Sequence, residues 1–366
     1  MSNPFIGMDK YEIDTPALLI DLDVMEANID TMAEFFRQVD AFLRPHVKTH
    51  KSPIIAHKQI NAGAIGVACA KLSEAEVMVN AGIRDVLIAN QVVGRTKIAR
   101  LVNLAKHAYM MVAVDNAKNV EDLSAAAAAK KATLWALVEV DIGMGRCGVP
   151  PGKPALELAQ QVVKSEGLRF AGLMGYEGHA VMIPDKEERR KVANDAIDLL
   201  AETKMLLYKS GVNVEIVSGG GTGTYDITGS RWEMREVQAG SYVFMDAKYS
   251  TLKDLSEKFG CALTILTTVI SRPKPDVIIT DAGMKVMTHE FGIPQPIDVE
   301  GLEQVSLSEE HGKLIAHGKV DLKVGDKFEI LPTHGCTTIN LHDNYYAVRD
   351  GKLEAVWKIE ARGKST

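Results

Sequence analysis

The chain alternates apolar and polar residues in two different ways. From residue 40 to about residue 240, eight short apolar runs alternate with amphipathic segments of helical period. The runs are AFLRPHVK, AIGVACA, DVLIAN, YMMVAVD, TLWALVEVD, LRFAGLMGY, VNVEIVS and REVQAG. Ser, Asp or Asn opens several of the amphipathic segments and Gly closes several, as helix caps do. Eight such units predict an α/β fold with a closed (β/α)8 barrel rather than an open doubly wound sheet.

The pattern changes after about residue 250. Short β-rich runs with turn signals such as VRDGK replace the long helical periods, which predicts a mostly antiparallel β-domain. The early run TPALLIDLD precedes the first barrel helix and could pair into that domain. We therefore predict a barrel over residues 22–245 and a β-domain over residues 246–366 together with residues 1–21.

Composition excludes several classes of protein. The 366 residues carry a net charge of −6 without a basic block, which argues against nucleic-acid binding. No apolar stretch reaches about 18 residues, so we expect no membrane span. The N-terminus lacks the charged start and apolar run of a signal peptide. The cysteines are scattered without disulfide or CxxC spacing, which predicts a reduced, cytoplasmic setting.

The stretch RPHVKTHKSP contains two candidate reactive amines, Lys48 and Lys51. Strand alternation places His46 and Lys48 on one face at the end of the first barrel strand, where barrel active sites lie. Ser52 and Pro53 predict the start of a helix, which would leave Lys51 on a solvated loop. Lys48 is therefore the better candidate for an inward-facing nucleophile. The alternative is that both lysines are surface charges.

Three further motifs follow predicted barrel strands. The glycine-rich loop VSGGGTGTYD offers the backbone of Gly219, Gly220 and Gly221 and the hydroxyl of Thr222 to a phosphate. The loop DIGMGRCGV offers Arg146 to an anion or phenolate oxygen, unless it is a plain turn with an exposed arginine.

The motif GYEGHA offers Tyr176 and His179, whose alternative is a buried, hydrogen-bonded pair. A reactive lysine after the first strand and a phosphate cradle after the seventh together predict pyridoxal phosphate held on a Schiff base.

These motifs resemble the fold-type III pyridoxal-phosphate enzymes on the alanine-racemase barrel. Within them, the chain is most similar to the group of D-threonine aldolases and eukaryotic-type D-serine dehydratases. RPHVKTHKSP resembles that group's PHxKxHKS motif, which implies that Lys48 is the Schiff-base residue. The strand-five and strand-six motifs imply that Arg146 approaches the phenolic oxygen and Tyr176 the pyridine ring.

The same resemblance extends from TPALLIDLD to IEARG. SGGGTGT, beginning at Ser218, looks like the phosphate loop, and we also assign Tyr242 to the predicted cofactor-binding set. The resemblance implies a homodimer with active sites near the subunit interface.

A candidate metal site lies in PTHGCTTINLHD, where His334 and Cys336 are two residues apart on a strand-like run. Alternation would point both side chains to one face, although two ligands alone are more often structural. The resemblance implies that these positions bind a divalent ion, manganese, magnesium or zinc. The cysteine favours zinc by its softness. The resemblance implies a His–Cys pair with zinc for the dehydratases and a His–Asp pair with harder ions for typical aldolases. The tail INLHDNYYAVRDGKLEAVWKIEARG is more similar to the aldolases, and we favour the aldolase because this likeness is longer.

The resemblance implies cleavage of a 3-hydroxy D-amino acid such as D-threonine to glycine and an aldehyde, with His179 or a metal-bound hydroxide as candidate base. The alternatives are dehydration with Lys48 as the base, racemisation, a non-enzymatic cofactor carrier, and a hydrolase without pyridoxal phosphate. LSEEHGKL (Glu309, Glu310, His311) resembles a polar segment near the metal, or is a solvated turn. DAGMKVMTHEFG (Asp281, Lys285, His289) has no assigned role.

Overall fold

The computed structural model describes residues 5–366, which divide into two compact units. The barrel unit comprises residues 32–48, 53–240 and 364–366, and the β unit comprises the chain up to residue 31 with residues 49–52 and 241–363. No helix in the described part of the chain is both long and apolar enough to cross a membrane.

The helices are α1 (Leu22–Arg37), α2 (Pro53–Asn61), α3 (Leu72–Asn80), α4 (Arg95–Leu104), α5 (Ala117–Ala129), α6 (Lys153–Lys164), α7 (Lys186–Lys209), α8 (Tyr225–Gly229), α9 (Lys253–Ser256) and α10 (Gly335–Ile339). The strands are β1 (Ala17–Asp21), β2 (Phe42–Leu43), β3 (Val67–Cys69), β4 (Asp85–Gln91), β5 (Tyr109–Val114), β6 (Leu134–Glu139), β7 (Leu168–Met174), β8 (Ile216–Gly219), β9 (Glu236–Val237), β10 (Leu263–Lys274), β11 (Val277–Thr280), β12 (Gln295–Ile297), β13 (Leu302–Leu307), β14 (Gly312–Ala316), β15 (Lys327–Leu331), β16 (Asn344–Arg349) and β17 (Lys352–Lys358).

The barrel unit confirms all eight predicted strands. They are parallel and follow the order β2-β9-β8-β7-β6-β5-β4-β3. A bridge between His46 and Ala68 joins the two ends of this order, with Val47 N donating to Ala68 O at 2.8 Å. Buried Leu, Met and Ala side chains from β4 to β7 form one apolar cluster, as parallel strands covered on both faces require. The ring positions the loops that follow each strand at one end.

Helix caps in the barrel unit agree with the sequence signals. The Asn116 side chain accepts hydrogen bonds from Lys118 N and Asn119 N at the start of α5. Asp185 accepts from Glu188 N at the start of α7, the longest helix among the described residues. These side chains satisfy amide groups that have no partner within the helix, so the helices begin where the pattern predicts.

The β unit is a mostly antiparallel sheet, as predicted. Its central order is β13-β14-β11-β10-β1-β16-β17, and β15 pairs with both β10 and β12. The TPALLIDLD run forms β1, which is antiparallel to β10 and parallel to β16, and this confirms the predicted pairing. Asp281 accepts hydrogen bonds from Thr15 Oγ1 at 2.6 Å and Thr267 Oγ1 at 2.7 Å, so it fastens the segment before β1 to β10.

Candidate active site

The strand that was predicted to reach Lys48 ends earlier, at Leu43. The last ladder contact is made by Val47, and residues 47–50 form a turn. Strand alternation therefore does not place His46 and Lys48 on one face, and that prediction is wrong. The turn brings the Lys48 amide to 3.4 Å from His46 Nδ1, and Lys48 is exposed.

Lys51 is buried, which corrects the prediction of a solvated loop. Only 8% of this residue is exposed, its φ angle is +52°, and its carbonyl oxygen accepts from Ala361 N at 3.0 Å. Helix α2 begins at Pro53 as expected. The Ser52 hydroxyl is buried and makes no hydrogen bond to any described residue, so it is not a side-chain cap. Of the two lysines, Lys48 is the accessible one.

The glycine-rich loop after β8 is fixed by hydrogen bonds within the barrel unit. Buried Ser218 accepts from Gln238 Nε2 at 2.7 Å. Gly220 N donates to Glu177 Oε2 at 3.2 Å, and Gly221 N donates to Thr224 Oγ1 at 3.2 Å. Two of the amide groups that were predicted to cradle a phosphate thus donate to side chains of this protein, Gly220 N to Glu177 and Gly221 N to Thr224.

Glu177 organises this loop, and the sequence interpretation missed it. Its carboxylate is buried and accepts from the Thr224 hydroxyl at 2.7 Å, from the Thr228 hydroxyl and from Gly220 N. A buried carboxylate needs several donors to offset its lost hydration. The available signal was the acidic residue inside GYEGHA, between Tyr176 and a glycine.

Glycine is required in the loop because the backbone packs closely. A Cβ atom at Gly219 would lie 2.2 Å from Gly175 O, and one at Gly223 would lie 2.0 Å from Val181 O. A Cβ atom at Gly221 would lie 3.2 Å from the Tyr176 hydroxyl. The Tyr176 ring therefore lies directly against the predicted phosphate loop.

Arg146 and His179 lie on the same side of the barrel unit as Tyr176. The Arg146 guanidinium is 5.7 Å from the Tyr176 ring centroid, and its side chain is otherwise exposed. His179 is also exposed, and its Cε1 atom lies 3.0 Å from where a Cβ of Gly143 would be. The alternative of a buried Tyr176–His179 pair is therefore wrong.

Two carboxylates accompany this group. A hydrogen bond from Gly145 N lowers the pKa of Asp141. The charge of His179 lowers the same pKa further. Burial raises the pKa of Glu139, which ends β6, although a hydrogen bond from Gln91 and the charge of Arg146 oppose that shift. A shallow cleft is lined by Glu139, Asp141, Arg146, Cys147 and Tyr176 with neighbouring apolar residues.

His334 and Cys336 lie in the β unit, but not on a strand. His334 is extended and immediately precedes α10, and Cys336 lies in the first turn of that helix. The β-branched residues of CTTI are typical of strands, and here they are helical, so the predicted alternation is wrong. The two side chains nevertheless meet, because a hydrogen bond joins them. The Cys336 thiol also donates to the hydroxyl of Thr49, the residue after Lys48, at 3.4 Å.

Asp246 supports the candidate metal residues, and sequence reasoning did not find it. Its buried Oδ2 atom accepts from His334 Nδ1 at 2.9 Å and from Gly335 N at 3.2 Å. Burial on its own lowers the pKa of His334, but the hydrogen bonds to Asp246 and Cys336 outweigh it and raise that pKa to about 10. Metal-binding histidines typically donate their second ring nitrogen to such a carboxylate. Residues 5–366 hold no cluster of three or more His, Cys, Asp or Glu side chains suited to a metal.

The remaining predicted residues are also in the β unit. Tyr242 is buried in a short 3-10 helix, and its ring packs on Phe259 with centroids 6.0 Å apart. Glu309, Glu310 and His311 are exposed, and Glu310 pairs with Lys285 at 2.5 Å. The backbone of this segment accepts from Met284 N and Lys285 N, at Ser308 O and Glu309 O.

Comparison with known proteins covers almost the whole chain. Residues 20–248 match the family of the alanine racemase N-terminal domain, and residues 262–348 match the putative serine dehydratase domain. The D-threonine aldolase of Arthrobacter sp. is 41% identical over 98% of this chain and 95% of its own length. The 3-hydroxy-D-aspartate aldolase of Paracoccus denitrificans is 39% identical over 98% of this chain and 94% of its own length.

Solved structures give the same order of similarity. The crystal structure of D-threonine aldolase from Filomicrobium marinum is 42% identical, covers 99% of both chains and has a TM-score of 0.95. A D-threo-3-hydroxyaspartate dehydratase, in a cysteine-to-alanine mutant in the metal-free form, is 26% identical over 96% of this chain and 98% of its own, with a TM-score of 0.85. The chain belongs to the family of proteins with an alanine racemase N-terminal domain.

Proposed function

We propose that this chain is a pyridoxal-phosphate-dependent carbon–carbon lyase that cleaves 3-hydroxy D-amino acids of the D-threonine type to glycine and an aldehyde. The full-length likeness to a D-threonine aldolase, at 41% identity, carries this proposal. The dehydratases among the relatives are more distant, at 28% identity or below. The chemistry of the described residues supports it in two steps.

The residues of the barrel unit fit a phosphorylated aldehyde cofactor. Lys48 has an accessible amine that can hold the aldehyde carbon, and exposed Arg146 supplies a positive charge for its oxygen. Tyr176 would stack beside the ring, and the loop from Ser218 to Thr222, which Glu177 fixes, would receive the phosphate. Bound there, pyridoxal phosphate supplies an electron sink for the carbanion that bond cleavage leaves.

The donor set in the β unit fits a divalent metal. His334 brings an imidazole and Cys336 a thiol, with Asp246 orienting the imidazole. Nitrogen and sulfur together favour zinc over manganese or magnesium. A similar D-threo-3-hydroxyaspartate dehydratase has been solved as a cysteine-to-alanine mutant in the metal-free form, so a metal in a relative of this fold supports the proposal. The ion would act as a Lewis acid on the substrate β-hydroxyl.

The chain's own groups would then move one proton. The exposed His179 imidazole accepts the proton of the substrate β-hydroxyl as the Cα–Cβ bond breaks, and a proton is then returned to Cα to give glycine. Asp141 and the adjacent loop position that ring. A homodimer and a cytoplasmic location are further predictions of this proposal.

One observation favours a second candidate, a D-3-hydroxy-amino-acid dehydratase. The candidate ligand at position 336 is a soft cysteine, and a D-threo-3-hydroxyaspartate dehydratase among the similar structures is a cysteine-to-alanine mutant in the metal-free form. In a dehydratase, Lys48 would remove the α-proton instead, and the hydroxyl would leave.

The test is to identify the products. Purified enzyme with pyridoxal phosphate and either manganese or zinc is incubated with D-threonine, and the products are separated. We expect glycine and acetaldehyde. Ammonia and 2-oxobutyrate would establish the dehydratase instead. The Lys48→Ala variant should lose about a thousandfold in kcat together with the cofactor's near-visible absorption band, while its thermal unfolding is unchanged.

A further inference from the structure

The segment from Met284 to Ile293, which covers most of DAGMKVMTHEFG and the one residue after it, has no role in the proposed function so far. It exposes apolar side chains at Met284, Phe291 and Ile293, by 36%, 54% and 42%. Single exposed apolar residues are ordinary, but three within ten positions of one short segment form a patch.

This segment is held in place by backbone and side-chain contacts in the β unit. Met284 N donates to Ser308 O at 2.8 Å, and Lys285 N donates to Glu309 O at 3.0 Å. Further along, the Thr288 hydroxyl lies 2.8 Å from the Thr337 hydroxyl in α10. The polar LSEEHGKL stretch thus supports one end of the segment, and the helix that carries Cys336 supports the other.

Phe291 lies against the candidate metal ligand His334. The ring centroids are 5.2 Å apart at an interplanar angle of 77°, an edge-to-face contact. More than half of the Phe291 surface nevertheless remains exposed. One part of the Phe291 ring therefore packs against His334. The rest of the ring forms an exposed apolar surface next to His334.

Glu290 places a negative charge in the same neighbourhood. Its carboxylate accepts a hydrogen bond from the Thr337 hydroxyl, and it interacts electrostatically with His334. Buried Asp246 adds a second carboxylate behind the imidazole. Lys285, the cation of this segment, is exposed and already paired with Glu310.

We propose that Phe291 and Glu290 select the β-substituent of the substrate, in favour of an apolar or aromatic group and against a carboxylate. This rests on the proposed function, in which a metal held by His334 and Cys336 acts on the β-hydroxyl. The β-substituent is bonded to the same carbon as that hydroxyl, so it lies close to this site. There it meets the exposed face of Phe291, whereas a carboxylate would meet the charge of Glu290.

The expected effects are moderate. An aromatic contact of this kind changes relative kcat/KM by about two- to tenfold. A like charge in a partly solvated site changes it by about fivefold. The inference therefore predicts that D-threonine and D-phenylserine are better substrates than D-3-hydroxyaspartate, and that the two side chains set separate parts of this preference.

The experiment compares three variants with the parent holoenzyme. Glu290→Gln removes the charge, Phe291→Leu keeps an apolar side chain without the ring, and Glu303→Gln is a matched control, since Glu303 is an exposed carboxylate paired with His317. Steady-state kinetics use D-threonine, D-phenylserine and D-3-hydroxyaspartate. Dissociation constants are also measured for D-2-aminobutyrate, D-phenylalanine and D-aspartate, which carry the same side groups without a hydroxyl and cannot be cleaved.

We expect Glu290→Gln to raise kcat/KM for D-3-hydroxyaspartate and to lower the dissociation constant of D-aspartate. The kcat/KM for D-threonine should change little. Phe291→Leu should lower kcat/KM for D-phenylserine and raise the dissociation constant of D-phenylalanine, without the same change for the other compounds. Equal changes for all substrates, or none, with cleavage intact, would overturn this inference alone. If no variant and no parent enzyme cleaves any of the three, the proposed function itself is wrong.

Discussion

The two ends of the barrel strands treat charge in opposite ways. At the amino-terminal end, the guanidinium of Arg44 is 2% exposed and contacts Glu236 at 2.9 Å and Asp85 at 2.6 Å, the first residues of β9 and β4. At the loops that follow the carboxyl-terminal ends, Lys48, Arg146 and His179 are exposed.

The buried charges at the amino-terminal end and the exposed charges at the carboxyl-terminal end serve different purposes. Buried charges that face one another, as around Arg44, are paired with each other before any ligand arrives, and breaking such a pair strongly destabilises the fold. Charges left accessible at the other end contribute little to folding and are available to a substrate or cofactor. In barrel enzymes, the carboxyl-terminal end of the strands is the one that carries the active site.

Removing the buried charge of Arg44 at the amino-terminal end should cause a large loss of stability. Arg44→Met leaves Glu236, 1% exposed, without its cation, so we expect the free energy of unfolding to fall by about 3–5 kcal/mol. Urea unfolding measures this. Arg37→Met is the control, because Arg37 and Glu34 are both exposed and such a surface pair contributes little to stability. Equal losses in the two variants would contradict a stabilising role for the buried cluster.

The barrel strands could be predicted from the sequence because their apolar runs are separated regularly by helical segments. That periodicity reflects burial, which dominates the energetics of both elements. The same reasoning placed β1 beside the second-domain strands and α2 at Pro53.

Residues outside the regular elements were harder to predict. Lys48 was placed by extending a strand beyond Leu43, but the chain turns there. Lys51 was placed on a solvated loop before the helix, whereas it is buried in a left-handed conformation. Cys336 was placed on a strand because β-branched residues follow it, yet local propensity is weak against tertiary contacts. Asp246 and Glu177 were missed because a buried carboxylate is recognisable only from its donors, which come from distant parts of the sequence.

At the carboxyl-terminal end, a substitution at Gly223 in the glycine-rich loop should affect both stability and cofactor affinity. Gly223→Ala would place a Cβ atom 2.0 Å from Val181 O, so we expect a loss of about 1–3 kcal/mol in stability and a cofactor affinity about tenfold weaker. Gly82→Ala is the matched control. Its φ of +93° gives backbone strain of about 1 kcal/mol, but its Cβ atom would meet nothing within 4 Å. Spectroscopic titration with pyridoxal phosphate should separate the two, and an unchanged affinity in Gly223→Ala would show that this loop does not hold the phosphate.

The smallest expected effect concerns Glu139, a buried acid at the carboxyl-terminal end. Burial raises its pKa above the ordinary 4.5, so the folded state holds this proton more tightly than the unfolded state does. The associated stability is complete below the unfolded pKa and is lost as the pH rises through the folded pKa. Glu139→Gln removes this dependence and can still accept from Gln91. From about pH 4 to about pH 7, the free energy of unfolding of the variant should therefore improve relative to the parent, by about 1 kcal/mol or less.

Glu34 provides a control of opposite sign for that measurement. A hydrogen bond from Arg37 lowers the pKa of this exposed carboxyl, so its stabilising contribution is present above the unfolded pKa and disappears as the pH falls. Relative to the parent, Glu34→Gln should therefore lose stability as the pH rises over the same range, while Glu139→Gln gains. Parallel pH profiles for the parent and Glu139→Gln would mean that Glu139 pays no penalty for its charge. The two ends of the barrel would then differ in how accessible their charges are, but not in the free-energy cost of burying a charged side chain.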